Sequence, residues 1–141
     1  MEKSMKIQLP MPELQEYLYT IYPQTKDRFC IDELQEGELV MSMQTNSEDI
    51  RPGGTISGPS LFTLVDCAFY ALVLSVIGKE PLAVTSSLNI NFLRKPEQEN
   101  MICRTRILKM GKKLCVGDAF VYNREQIVAQ ATVTYAIPSK K

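Results

Sequence analysis

Apolar residues recur at Leu14, Tyr17, Leu18 and Ile21, the i, i+3, i+4, i+7 spacing of one helical face. This predicts a first helix over about 12–22, ended by Pro23. Weaker alternation over 29–34 and 38–44 predicts two strands, with Glu36-Gly37 as their turn, and the polar stretch 45–51 reads as a loop. Residues 52–59, Pro-Gly-Gly-Thr-Ile-Ser-Gly-Pro, are dense in backbone punctuation. Pro59 suits the first turn of a helix, where a missing N–H costs nothing, with Ser57 or Gly58 near the cap. That helix is predicted to run over about 59–77 and stop at Gly78. It is apolar nearly all round, so it should be buried nearly all round. Beyond it, 82–93, 101–109, 113–122 and 126–137 are rich in Val, Ile, Thr and aromatics and read as strands. Met110-Gly111-Lys112 and Asn123-Arg124-Glu125 fall where hairpin turns belong. A long helix followed by an antiparallel meander predicts one α+β domain over 1–141, its curved sheet wrapping the helix.

Composition narrows the chemistry. The 141 residues suffice for one domain with a real core, and 16 basic residues balance 16 acidic ones, which argues against a nucleic-acid partner. The chain has no histidine. Ser-His-Asp and Cys-His hydrolysis and His/Glu dehydration are therefore excluded, and acid–base work falls to Asp, Glu, Lys, Tyr or Cys. Cys30, Cys67, Cys103 and Cys115 form no C-x-x-C pair, so neither a metal site nor a cofactor is expected. They read as reduced thiols of a cytoplasmic protein. The first residues lack the apolar core of a signal peptide. The run 61–77 is short for a bilayer and carries Asp66 near its middle, so it reads as a buried helix rather than a membrane span.

Asp66 is the most informative residue. An ionised carboxylate buried without partners costs several kcal/mol, so it must be paired, protonated or open to a pocket. Thr63 and Tyr70, at i−3 and i+4, are the predicted hydrogen-bond donors, while Phe62 and Phe69 would keep the site dry. Two readings stand: a structural Asp hydrogen-bonded inside the helix or across a subunit interface, and a catalytic carboxylate. The second gains from the helix start two turns upstream, where the amide of Gly58 and the positive end of the helix dipole could polarise a thioester carbonyl. Gly53-Gly54-Thr55 lacks the spacing of a phosphate loop and reads as a tight bend.

The run Gly58-Pro59-Ser60-Leu61-Phe62-Thr63-Leu64-Val65-Asp66, the apolar helix, and Asn89-Ile90-Asn91-Phe92-Leu93 followed by Arg94-Lys95-Pro96 together resemble the PaaI-like hotdog thioesterases. The resemblance covers about 51–138 and implies the hotdog fold and hydrolysis of acyl-CoA thioesters. It implies that Asp66 is the catalytic carboxylate, as nucleophile or as general base for water, and that the Gly58 amide polarises the carbonyl. It further implies a homodimer or homotetramer whose subunits contribute the two groups to a shared site. Ser57 stands in the place of the family's motif histidine, Pro59 in that of its second glycine, and Arg51 in that of a loop asparagine. Thr85 or Ser86 would supply the hydroxyl that assists from the following strand. Phe62, Thr63 and Tyr70 are candidate acyl-pocket residues, and Arg94 with Lys95 or Lys112 with Lys113 are candidates for the phosphates of CoA. The alternative is a non-catalytic hotdog that binds acyl-CoA or a fatty acyl group.

Overall fold

The computed structural model describes residues 4–139. Helix α1 spans Met11–Ile21, strands β1 and β2 span Phe29–Gln35 and Glu38–Met43, and the long helix α2 spans Gly58–Ile77. Strands β3 (Val84–Phe92), β4 (Met101–Met110), β5 (Leu114–Asn123) and β6 (Gln126–Ala136) complete one six-stranded antiparallel sheet in the order β1-β2-β4-β5-β6-β3. The loop before α2 also contains a single 3-10 turn at Ser47–Asp49, which its polar composition does not betray.

Period-two alternation explains how the sheet wraps α2. Met101, Cys103, Thr105 and Ile107 of β4 point inward, as do Cys115, Gly117, Ala119 and Val121 of β5, while the residues between them face outward. The inward set meets Leu61, Leu64, Val65, Ala68, Phe69 and Leu72 of α2 in one core. A window of α2 has mean hydropathy 2.0, high enough to suit a bilayer, yet 72% of that window is buried. Here the apolar helix is the filling of a curled sheet.

The close fit has its tightest point at Gly117. A Cβ placed there would lie 2.2 Å from Cε1 of Phe69 and 2.3 Å from the carbonyl oxygen of Arg106. The second of these is backbone and cannot move aside. Gly117→Ala is therefore expected to destabilise the fold by about 2–3 kcal/mol, read as a lowered urea midpoint. A midpoint equal to the parent's would show that helix and sheet are less closely packed than described.

One expectation needs correcting. The helix α2 is not buried all round: Pro59, Phe62 and Thr63 are exposed, and Asp66 and Tyr70 are only half-buried. These residues form a stripe at helical spacing beside β3. The reason is topological. Strand β3 ends the sheet, so none of the described residues continues past it to cover that face of the helix. The same edge exposes Leu82, Val84, Phe92 and Leu93.

Candidate active site

The uncovered stripe holds Asp66, and the sheet supplies its partners. The hydroxyl of Thr85 donates to Asp66 Oδ1 at 2.6 Å, and that of Tyr135 donates to the same oxygen at 2.8 Å. Thr85 and Tyr135 lie directly opposite one another on β3 and β6. A bulge follows at once, with Ser86 as the extra residue. It puts Thr85 on the same face as Leu88, Ile90 and Phe92, which pair with the inward-facing Val133, Ala131 and Ala129. Of the two candidate hydroxyls, the structure thus brings Thr85 to the carboxylate, while Ser86 makes no hydrogen bond to it.

Thr63 and Tyr70 are not the donors their spacing predicted. Thr63 turns back along its own helix and donates to the carbonyl of Pro59 at 3.0 Å, the usual habit of a helical threonine. Tyr70 donates to the carbonyl of Pro81 at 2.9 Å, in the connection leading to β3. Both stay on the open stripe, but neither touches Asp66. Nor do both phenylalanines screen the carboxylate: Phe69 sits in the core against Tyr135, with ring centroids 5.5 Å apart, and only Phe62 lies exposed on the open stripe.

Tyr135 escaped the sequence reading altogether. It is 3% exposed, and burial first, then the Asp66 charge, push its hydroxyl above the ordinary tyrosine value. It stays protonated and donates. Burial, and after it the Asp66 charge, likewise push the Cys67 thiol up to about 12, which removes this neighbour as a nucleophile.

The second half of the site is the start of α2. Ser57 is its N-cap and accepts from the Ser60 N–H at 3.2 Å. Leu61 N–H goes to the Ser57 carbonyl, and Pro59 has no N–H. That leaves the Gly58 amide as the one first-turn N–H without a hydrogen-bond partner among the described residues. Ser57, in the place of the motif histidine, is engaged in capping.

A chain of contacts gathers charge around this amide. Ile56 N–H donates to the Pro96 carbonyl at 3.2 Å, which draws the end of β3 against the loop. The result is an open cleft of about 420 Å³ in which Gly58 meets Arg51, Phe92, Arg94 and Lys95. Lys112 and Lys113 lie elsewhere, in a groove with Ile77 and Gly78 at the far end of α2. The ring of Phe92 reaches within 3.1 Å of where a Gly58 side chain would begin, so any side chain there would press on that ring and narrow the approach to the amide.

Eight residues separate Gly58 from Asp66. At the helical rise this places them about 12 Å apart along α2.

Residues 53–130 match the thioesterase superfamily. A structure from Silicibacter sp. TM1040, described provisionally as a thioesterase, is 41% identical, covers 97% of each chain and superposes with a TM-score of 0.90. The phenylacetic acid degradation protein PaaI of Thermus thermophilus is 20% identical, with 82% of this chain and 99% of that one covered and a TM-score of 0.73. A hypothetical thioesterase of Streptococcus pneumoniae, solved with coenzyme A, is 24% identical over 82% of this chain and 93% of its own, with a TM-score of 0.73. The chain belongs to the thioesterase superfamily, with the hotdog fold and the PaaI-like likeness that its sequence suggested.

Proposed function

We propose that this protein hydrolyses acyl-CoA thioesters at sites shared between two copies of the chain. What carries this reading is the separation of about 12 Å, by helical rise, between a half-buried carboxylate on the uncovered stripe and an unpartnered amide at the start of the same helix, too far apart for both to act on one carbonyl within a single chain. A symmetric pair joined along the free β3 edges would bring the Gly58 amide of one copy to the Asp66 of the other. Exposed Val84, Phe92 and Leu93 on and beside that edge would be covered in the process.

The chemistry follows from the residues. The Gly58 N–H, at the positive end of α2, stabilises the oxyanion that forms as the thioester carbonyl is attacked. Asp66 either attacks the carbonyl carbon itself or takes a proton from the attacking water. The leaving group is a thiol of ordinary pKa about 8.5, so it departs as thiolate without a strong general acid. That is why a site with no histidine can suffice. Arg51, Arg94 and Lys95 would meet the phosphates of CoA beside Gly58, a role that Lys112 and Lys113 are too far along α2 to share. Phe62 and Tyr70, on the open stripe, would contact the acyl group. The coenzyme A bound by the Streptococcus pneumoniae relative supports this ligand class. Three buried free cysteines fit a cytoplasmic, reducing setting.

The reading is tested by thiol release from acyl-CoAs of short, long and aromatic acyl groups, combined with mixing of variants. Gly58→Pro removes the unpartnered N–H and adds a ring carbon against the exposed Phe92 ring, and its fixed φ suits the first helical position. Gly58→Pro and Asp66→Asn should each be inactive alone. Co-assembled, they rebuild one intact site in each mixed pair and should recover roughly a quarter of the parent rate. Binding of acyl-CoA with no thiol release from any of them would replace the enzyme by a carrier or sensor. Failure of the mixture to recover would place the whole site within one chain.

A further inference from the structure

We infer that Tyr135 is a positioning residue for the Asp66 carboxylate: its hydroxyl, with that of Thr85, holds Oδ1 so that Oδ2 is the oxygen presented to the thioester. This rests on the reading of Asp66 given above and goes beyond it, because it names the reactive atom and a residue from the last strand that fixes it.

The geometry is specific. Both donors reach Oδ1, at 2.6 and 2.8 Å, and no described hydrogen bond reaches Oδ2. A carboxylate turns easily about its last bond, so one donor alone would leave its plane free to swing. Two donors from different strands remove that freedom. Oδ2 keeps its lone pairs for a water proton or for the carbonyl carbon. Whichever route operates, the near-attack geometry depends on a fixed carboxylate plane.

Tyr135 is the rigid member of the pair. Its ring packs against Phe69 at 5.5 Å and stacks on Tyr70 at 6.0 Å, while its oxygen also lies 3.1 Å from the Asp66 carbonyl. The phenol is thus tied to the same helical turn whose side chain it orients. Thr85, by contrast, sits exposed on the edge strand. Burial, and after it the Asp66 charge, keep the Tyr135 hydroxyl protonated, so it remains a donor.

The test compares Tyr135→Phe, Thr85→Val and the double variant with Asp66→Asn, using thiol release, thermal melting and oligomer size. Phe keeps the ring in its place between Phe69 and Tyr70, so melting temperature and assembly should hold. The expected result is a fall in kcat of about tenfold for Tyr135→Phe, with KM within about twofold of the parent. The double variant should lose more than the product of the two single losses, because each donor partly covers for the other on the shared oxygen. An amino group retains the donor, so p-aminophenylalanine at position 135 should recover most of the rate. It also reads the same contact should the Phe variant not fold. Full kcat in Tyr135→Phe while Asp66→Asn is inactive would overturn the inference and leave the proposed function standing. So would a lower melting temperature with unchanged kcat, or single losses that simply multiply. Parent-like activity in Asp66→Asn would instead remove the catalytic reading of the site itself.

Discussion

Asp66→Asn should lower acyl-CoA hydrolysis by roughly 10²–10⁴-fold, while melting temperature and oligomer size stay close to the parent's. The replacement is nearly isosteric, and an amide oxygen in the position of Oδ1 still accepts from Thr85 and Tyr135. What changes is the other atom. Oδ2 becomes an NH₂ group, which neither attacks a carbonyl nor takes a proton from water. No nearby group can replace it: Cys67 is buried with its thiol pushed up to about 12, and the chain has no histidine. Stability should move little because the carboxylate is only half-buried and, among the described residues, has no cationic partner to strand. Thiol release and a melting curve measured on the same preparation check both halves. A variant within tenfold of the parent rate would dismiss Asp66 as the catalytic group.

The sequence made Asp66 visible because a single charge in an apolar helix is costly enough to need a reason. Gly58 stood out for the same kind of cause, as a helix-start residue flanked by a cap and a proline. Their partners were far less legible. Tyr135 lies 69 residues from Asp66 and looks like any aromatic in a strand. Only the pairing of β3 with β6 brings it under the helix. Thr85 and Ser86 could not be told apart by alternation, since the bulge that selects Thr85 breaks the period of two. Thr63 and Tyr70 misled because helical spacing shows which side chains share a face and says nothing of the backbone carbonyls that compete for their protons. The half-open helix was hidden for a related reason. Hydropathy along 61–77 is uniform, and only the position of β3 at the sheet edge decides which stripe stays uncovered.

Asp49 was the least visible of all, a carboxylate in a polar loop whose removal should nonetheless cost about 3–5 kcal/mol. It is 2% exposed. Its Oδ1 accepts from Arg28 and from the Ser60 hydroxyl, each at 2.6 Å, and its Oδ2 accepts from the Asn46 N–H at 2.8 Å. Ser60 in turn accepts from the Ser57 hydroxyl at 2.9 Å, and Ser57 N–H donates to the Asp49 carbonyl at 2.7 Å. The start of α2, and with it the Gly58 amide, is thereby anchored to β1 through Arg28. Asp49→Ala would leave Arg28 without its counter-charge and Ser60 and Asn46 without an acceptor. Burial acts to raise the Asp49 carboxyl, but the bonds from Arg28, Ser60 and Asn46 outweigh it and hold it below the ordinary 3.8. A lowered folded value fixes the sign of the pH dependence. The stabilisation is present in full above about pH 4 and is lost as pH falls through the folded value. Urea unfolding of parent and Asp49→Ala should therefore show a wide gap at pH 7 that narrows towards pH 2, because only the parent loses this contribution. A gap of equal width at both pH values would mean that something other than this charge holds the helix start in place.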